Sequence, residues 1–155
     1  MTELPYRACA GVVLINAQGL IFTGERVDTP GAWLMPQGGI DPGENPQTAA
    51  FRELEEETSV PATQATLIAE HPDWVEYDLP DHLVGKLWKG RYRGQTQKWF
   101  LFRFDGDDSQ IDLTKHDQEF ARWRWSTPTE VIENIVPFKR KVYEQVIQGF
   151  AAELS

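Results

Sequence analysis

The chain has 155 residues, 41% of them hydrophobic, and a formal net charge of −9. This length supports one substantial core and is short for two, so we expect residues 1–155 to form a single domain. No apolar run approaches the roughly 20 residues that cross a bilayer, and the first residues lack a secretory signal pattern. The single cysteine, Cys9, excludes an intrachain disulfide and fits a reducing compartment, so we expect a cytoplasmic protein without a membrane partner.

Apolar runs and turn residues predict a mixed α/β chain. In chain order, we predict strands at 8–15 and 20–25, an extended segment at 34–37, a helix at 46–58, a strand at 65–70, an aromatic-rich hairpin or long loop at 74–92, strands at 98–104 and 120–125, and helices at 128–134 and 138–154. The first helix has local start signals, because Asn45 is a good N-cap and Pro46 suits the first helical position. Ala50 and Leu54 are four residues apart and would face the core.

The same helix gathers three carboxylates near its C-terminal end. Glu53, Glu56 and Glu57 fall at i, i+3 and i+4, where like charges repel and the helix dipole also disfavours anions. Arg52 can pair with Glu56. The cluster is typical of a site for a hard divalent cation, which carboxylates bind. A solvated acidic helix face is the alternative.

A glycine-rich loop precedes this helix, and such a loop lets the backbone approach a ligand closely. Together, residues 38–60 resemble the Nudix box, whose pattern is G-x5-E-x7-R-E-U-x-E-E-x-G-U, with U an aliphatic residue. The matching positions are Gly38, Glu44, Arg52, Glu53, Leu54, Glu56, Glu57 and Val60. Ser59 stands where the family has glycine, a residue typical of a left-handed helix ending, so we expect a strained cap there.

The resemblance implies the Nudix α/β/α sandwich with a mixed sheet, and hydrolysis of phosphoric anhydrides. It implies Mg2+ as the cofactor, with Mn2+ as a substitute. The implied metal ligands are the Gly38 carbonyl and the side chains of Glu53, Glu56, Glu57 and Glu119. The three helix glutamates are also the catalytic candidates, and the choice of base among them stays open. For Glu119, a surface acid at a strand edge is the alternative.

Motifs elsewhere in the chain resemble one Nudix subgroup, which contains RNA pyrophosphohydrolases and diadenosine polyphosphate hydrolases. They are YRACAGVVLIN, WLMPQGGID, YDLP, QKWFLFRF, EFARWRW and PFKRKVYEQV. The substrate implied is an RNA 5′-triphosphate end or a dinucleoside polyphosphate, and we expect no DNA partner. The alternatives are an inactive nucleotide- or RNA-binding regulator and a house-cleaning mononucleotide pyrophosphatase. The oligomeric state stays open.

The resemblance also gives candidates for substrate binding. They are Arg7, Arg26, Val136, Phe138, Lys139 and Arg140. Glu44 and Arg52 are expected to support the box structurally. The alternative is solvation for the basic side chains and core packing for Val136 and Phe138. A basic and aromatic segment at 85–98 fits either a phosphate- and base-binding surface or an ordinary hairpin surface.

Overall fold

The computed structural model describes residues 4–84 and 90–154, and eight strands in these ranges form one mixed sheet. The strands are β1 (Tyr6–Ile15), β2 (Ile21–Arg26), β3 (Trp33–Leu34), β4 (Gln37–Gly39), β5 (Ala65–Glu70), β6 (Val75–Asp78), β7 (Gly94–Phe104) and β8 (Phe120–Ser126). The helices are α1 (Pro46–Thr58), α2 (Pro128–Glu133), α3 (Arg140–Gly149) and α4 (Ala151–Leu154). The predicted α/β class is confirmed. No helix in the described ranges is long and apolar enough to span a membrane.

The centre of the sheet is the parallel pair β1 and β7. The strand order is β3-β2-β1-β7-β5, and three further strands pair off this path: β4 with β1, β6 with β7 and β8 with β2. The middle of β1 is an apolar run whose side chains, from Cys9 to Leu14, are buried. Such a run is expected of a strand covered on both faces.

Helices cover the two faces of this sheet. Phe51 of α1 packs against Phe102, with ring centroids 4.6 Å apart, and Tyr143 of α3 packs against Trp99, at 5.8 Å. Trp99 and Phe102 are three residues apart in β7, so their side chains point to opposite faces. The helices α1 and α3 therefore lie on opposite sides, which gives the predicted α/β/α sandwich.

The predicted bounds of α1 are confirmed at both ends. The Asn45 side chain accepts a hydrogen bond of 2.8 Å from the N–H of Gln47, and Pro46 opens the helix. Ala50 and Leu54 are buried, as predicted. The helix ends at Ser59, whose backbone is left-handed with φ 68° and ψ 13°. Local capping signals therefore position the carboxylates of this helix.

The extended segment predicted at 34–37 is two strands. Trp33–Leu34 pairs with β2, whereas Gln37–Gly39 pairs with β1. Between them, the N–H of Met35 donates to the Tyr143 hydroxyl at 3.0 Å, and Pro36 has no N–H to give to a ladder. The chain thus passes from a strand that pairs with β2 to a strand that pairs with β1, which places the glycine turn beside β1.

The single helix predicted at 138–154 is also wrong. Pro137–Lys139 forms a 3-10 turn, because a proline pushes the preceding Val136 into extended backbone, with ψ 144°. The helix then breaks at Phe150, after Gly149. A Cβ at Gly149 would overlap the ring of His71, so this position needs a glycine. The glycine therefore lets α3 pack closely against a side chain 78 positions earlier.

The segment predicted as a hairpin or long loop at 74–92 contains β6, which pairs antiparallel with the start of β7. Strand β7 begins at Gly94, four residues before its predicted start. Residues 85–89 lie outside the described ranges, and the basic and aromatic segment predicted at 85–98 falls partly on them.

Candidate active site

The glycine turn brings backbone against the carboxylate helix. In the β1–β4 ladder, Gly38 pairs with Ala10 and Gly39 with Cys9. A Cβ at Gly38 would overlap the carboxylate of Glu53, and a Cβ at Gly39 would lie 2.7 Å from an Arg7 nitrogen. Both glycines therefore permit a close approach that a side chain would prevent.

Arg52 joins the loop to the helix through several hydrogen bonds. Its Nε and Nη2 donate to the two carboxylate oxygens of Glu44, each at 2.9 Å, and Nη2 also donates to the Gly39 carbonyl at 2.9 Å. Its Nη1 donates to Glu53 at 2.8 Å and to Glu56 at 3.4 Å. The predicted Arg52–Glu56 pair is confirmed. The guanidinium thus offsets part of the repulsion between Glu53 and Glu56.

Glu44 is held from two sides. Hydrogen bonds to the Glu44 carboxylate lower the pKa of Glu44 to about 2. The larger effect comes from the Arg52 side chain and the smaller one from the N–H of Asp41. Its carboxylate is therefore ionised throughout the neutral range and can hold the loop in place. This geometry supports a structural role for Glu44 and Arg52, which stays a prediction.

Glu57 is the most enclosed carboxylate of the group. Glu57 is 7% exposed, and its Oε2 has no hydrogen-bond partner among the described residues. Burial, followed by the charges of Glu53 and Glu119, raises the pKa of Glu57 well above its ordinary value. Burial is also the largest cause of the raised pKa of Glu53. A buried carboxylate with an unpaired oxygen is a group that a bound cation would stabilise.

The structure brings together the four glutamates predicted as metal ligands. Glu53, Glu56, Glu57 and Glu119 form a wall shared by two neighbouring cavities of about 580 and 610 Å³. Within residues 4–84 and 90–154, however, no three His, Cys, Asp or Glu side chains are already arranged as a metal-binding group. Arg52 holds Glu53 and Glu56 instead. The wall therefore offers oxygen donors without a preassembled cage.

We call the larger space the cationic cavity. Five of the six predicted substrate-binding residues line it: Arg7, Arg26, Val136, Phe138 and Lys139. Leu83 adds an apolar side chain to the same cavity. Cationic and apolar groups thus converge beside the carboxylate wall, as a site for an anion with an apolar body requires.

Arg26 lies at the end of β2 and contacts two acids. Its Nε donates to Asp28 at 2.8 Å, and its Nη1 lies 3.4 Å from an oxygen of Glu119. The hydrogen bond from Arg26 is the main reason that the pKa of Asp28 falls to about 2. Arg26 therefore lines the cationic cavity directly beside the carboxylate wall.

Lys139 is a desolvated cation in the same cavity. Its Nζ lies 5.6 Å from the ring centroid of Tyr77 and 5.8 Å from that of Phe138. Burial, followed by the charge of Arg26, lowers its pKa to about 8. At neutral pH the ammonium is mostly protonated but poorly compensated, so an incoming anion would stabilise it.

The remaining candidate, Arg140, is exposed at the first residue of α3 and lines neither cavity. His71 is buried against Phe150, with its ring nitrogens bonded to backbone groups of Asp73 and Gln145. Sequence reasoning missed Leu83 and Lys115 as lining residues, since neither belongs to a local motif.

The smaller space, which we call the loop cavity, is bordered by the same wall. Lys115, His116 and Asp117 line it together with the four glutamates. These residues belong to the loop before β8. The N–H of Asp112 donates to the Thr58 carbonyl at 3.0 Å, and the Ser59 hydroxyl donates to the Asp112 carbonyl at 2.6 Å. The C-terminal end of α1 therefore anchors this loop.

Comparisons with known proteins agree with this geometry. Residues 5–146 match the family profile described as NUDIX domain. The chain is 54% identical over 153 residues to a protein named RNA pyrophosphohydrolase from Cereibacter sphaeroides, covering 98% of this chain and 94% of that one. It is 57% identical over 151 residues to a protein of the same name from Erythrobacter litoralis, covering 96% and 92%.

Two solved structures have similar folds. The E. coli dihydroneopterin triphosphate pyrophosphohydrolase superposes with a TM-score of 0.73 at 25% identity, covering 93% of this chain and 98% of that one. A C. elegans Ap4A hydrolase superposes with a TM-score of 0.69 at 20% identity, covering 94% and 98%. The second likeness concerns the fold alone.

Proposed function

Since the chain belongs to the Nudix family, we propose that it hydrolyses phosphoric anhydride bonds at the ends of nucleoside polyphosphates. One observation carries this proposal: a wall of four glutamates stands beside a cavity lined by Arg7, Arg26 and Lys139. Carboxylates supply metal ligands and a base, and the cations supply binding for phosphates. The relatives named RNA pyrophosphohydrolase, 54–57% identical, support the same activity.

The donor set fits a hard divalent cation. All the atoms that could bind the cation are oxygens. Oε2 of the buried Glu57 has no hydrogen-bond partner among the described residues. Because residue 38 is glycine, its backbone lies directly against the Glu53 carboxylate. We assign Mg2+, with Mn2+ as a substitute, to Glu53, Glu56, Glu57, Glu119 and the Gly38 carbonyl. When bound, such a cation neutralises phosphate charge and lowers the pKa of a water molecule.

The protein's own residues supply the rest of the reaction. A water oxygen forms a bond to phosphorus while the bridging P–O bond of the anhydride breaks, and the departing phosphate carries away the negative charge. A carboxylate of the wall accepts the water's proton. Glu53, Glu56 and Glu57 are the candidates for this proton acceptor. Arg26 and Lys139 hold phosphate oxygens near that carboxylate.

The nucleoside end of the substrate belongs in the cationic cavity. Phe138, Val136 and Leu83 give this cavity apolar surfaces on which a base can pack. RNA with a 5′-triphosphate end, losing pyrophosphate, is the substrate that the names of the relatives favour, and dinucleoside polyphosphates present the same anhydride. We place this activity in the cytoplasm, and we assign no DNA partner.

Two other functions are less well supported. An inactive regulator would not need four glutamates on one wall, of which Glu57 is buried at a cost in free energy. A mononucleotide pyrophosphatase fits the chemistry equally, but the 54–57% identical relatives carry a different name.

A product assay tests the proposal. The purified protein is incubated with 5′-triphosphorylated RNA or with diadenosine tetraphosphate, with Mg2+ or with excess chelator. We expect pyrophosphate from the RNA, and nucleotide products from the dinucleotide, only when Mg2+ is present. Absence of turnover on both substrates in Mg2+ and in Mn2+ would refute the proposed activity.

A further inference from the structure

We propose that the loop cavity receives the leaving pyrophosphate and that Lys115 is a further substrate-binding residue, which contacts that group. This inference rests on the proposed function, and it assigns the two arms of the substrate to the two cavities. Lys115 belongs to no motif of the box and lines only the loop cavity.

The two cavities share one wall. Glu53, Glu56, Glu57 and Glu119 line both cavities, so a phosphorus atom attacked at this wall lies next to both of them. A phosphoric anhydride has two arms, and they leave the reacting phosphorus in different directions. The apolar side chains are in the cationic cavity, which suits the nucleoside arm. The loop cavity is the remaining space for the arm that departs.

The loop cavity is rich in negative charge. Five carboxylates line the loop cavity, namely the four of the wall and Asp117. A tetravalent anion would be repelled there without cations. Lys115 brings a positive charge to this cavity. That charge helps to lower the pKa of Asp112, but no ion pair joins Lys115 to another residue of the described ranges. Its ammonium is therefore available to an anion, in contrast to Arg26 and Arg52, which both contact acids.

The loop that carries Lys115 is anchored at both ends. Two hydrogen bonds at Asp112 tie the start of the loop to Thr58 and Ser59, directly after the wall glutamates. At its end, the carbonyl of Glu119 accepts a hydrogen bond of 3.0 Å from the N–H of Val27. Lys115, an exposed residue, thus lies in a loop whose two ends are fixed to elements of the site.

The test is a titration by calorimetry of the full chain with Mg2+ and inorganic pyrophosphate, and separately with a 5′-monophosphorylated oligoribonucleotide. The variants are Lys115→Ala, Lys115→Arg and the matched control Lys141→Ala, which removes an exposed lysine that lines neither cavity. We expect Lys115→Ala to weaken pyrophosphate binding about three- to tenfold, as for one partly solvated charge-assisted contact. Lys115→Arg should retain most of the affinity, and Lys141→Ala all of it.

The oligonucleotide titration tests whether Lys115 contacts only the departing arm of the substrate. Lys115→Ala should leave the affinity for the 5′-monophosphorylated oligoribonucleotide unchanged. Equal effects of Lys115→Ala and Lys141→Ala on pyrophosphate, or equal losses for pyrophosphate and oligonucleotide, would overturn the assignment. The wild-type protein is also assayed for turnover. If it turns over neither substrate, the proposed function fails, while the binding titrations still decide whether Lys115 holds pyrophosphate.

Discussion

The helix ending at Ser59 allows a stability prediction that can be worked out from its contacts. Ser59 has a left-handed backbone with φ 68°, is 8% exposed, and donates a hydrogen bond of 2.6 Å to the Asp112 carbonyl. Ser59→Gly relieves about 1 kcal/mol of left-handed strain. The same change removes a hydrogen bond worth about 1 kcal/mol, and the freer unfolded chain costs a further 0.4–1 kcal/mol, roughly.

These terms sum to a loss of about 0.5–1 kcal/mol in the free energy of unfolding, which is about 1–4 °C in Tm for a domain of this size. From the sequence alone, the usual glycine predicts a gain. The Asp112 hydrogen bond reverses that sign, because it joins residues 53 positions apart and has no signal in the local sequence.

Thermal unfolding followed by circular dichroism measures the effect, with Ser59→Ala as the control. Ser59→Ala keeps the left-handed strain and loses the hydrogen bond, so we expect a loss of about 1 kcal/mol. A Tm for Ser59→Gly above that of the wild type, together with an unchanged Tm for Ser59→Ala, would show that the Asp112 hydrogen bond contributes nothing.

The other predictions concern the site. Chelation of divalent cations should abolish turnover, and added Mg2+ should restore it and raise Tm, because a ligand of the native state stabilises it. Glu53→Gln, Glu56→Gln and Glu57→Gln should fold but lose turnover, about 100-fold or more at the residue that accepts the proton. If Phe138 reads the second base that only an RNA chain offers, Phe138→Ala should lower kcat/KM for RNA about five- to a hundred-fold, and much less for diadenosine tetraphosphate. Lys139→Ala should weaken the binding of both substrates. In the wild type, affinity should fall as pH rises through about 8, where the Lys139 ammonium loses its proton. Lys139→Ala should remove this pH dependence.

Each of these has a clear contrary result. Full turnover in excess chelator contradicts the metal assignment. Near wild-type rates in all three glutamine variants would place the chemistry elsewhere and leave the solvated acidic face as the better interpretation. Equal losses on both substrates for Phe138→Ala would remove the argument for a dedicated RNA site. A pH dependence of binding that persists in Lys139→Ala would assign the titration to another group.

The sequence by itself determined those features whose causes are local. Asn45 and Pro46 start α1, and the spacing of Glu53, Glu56 and Glu57 puts three carboxylates on one face, because helix geometry alone sets both. The Arg52–Glu56 pair, four residues apart, was predictable for the same reason. The family's motif then gave the fold and its left-handed helix ending, which the structure confirms at Ser59.

Only the tertiary structure decided which of these groups are buried and what faces them. The enclosure of Glu57, the desolvation of Lys139 and the Ser59–Asp112 hydrogen bond depend on segments far apart in the chain. The placement of Lys115 in one cavity with the helix glutamates also depends on how the loop before β8 packs. Burial and electrostatic fields are sums over neighbours in space, so neither spacing nor propensity along the chain can give them.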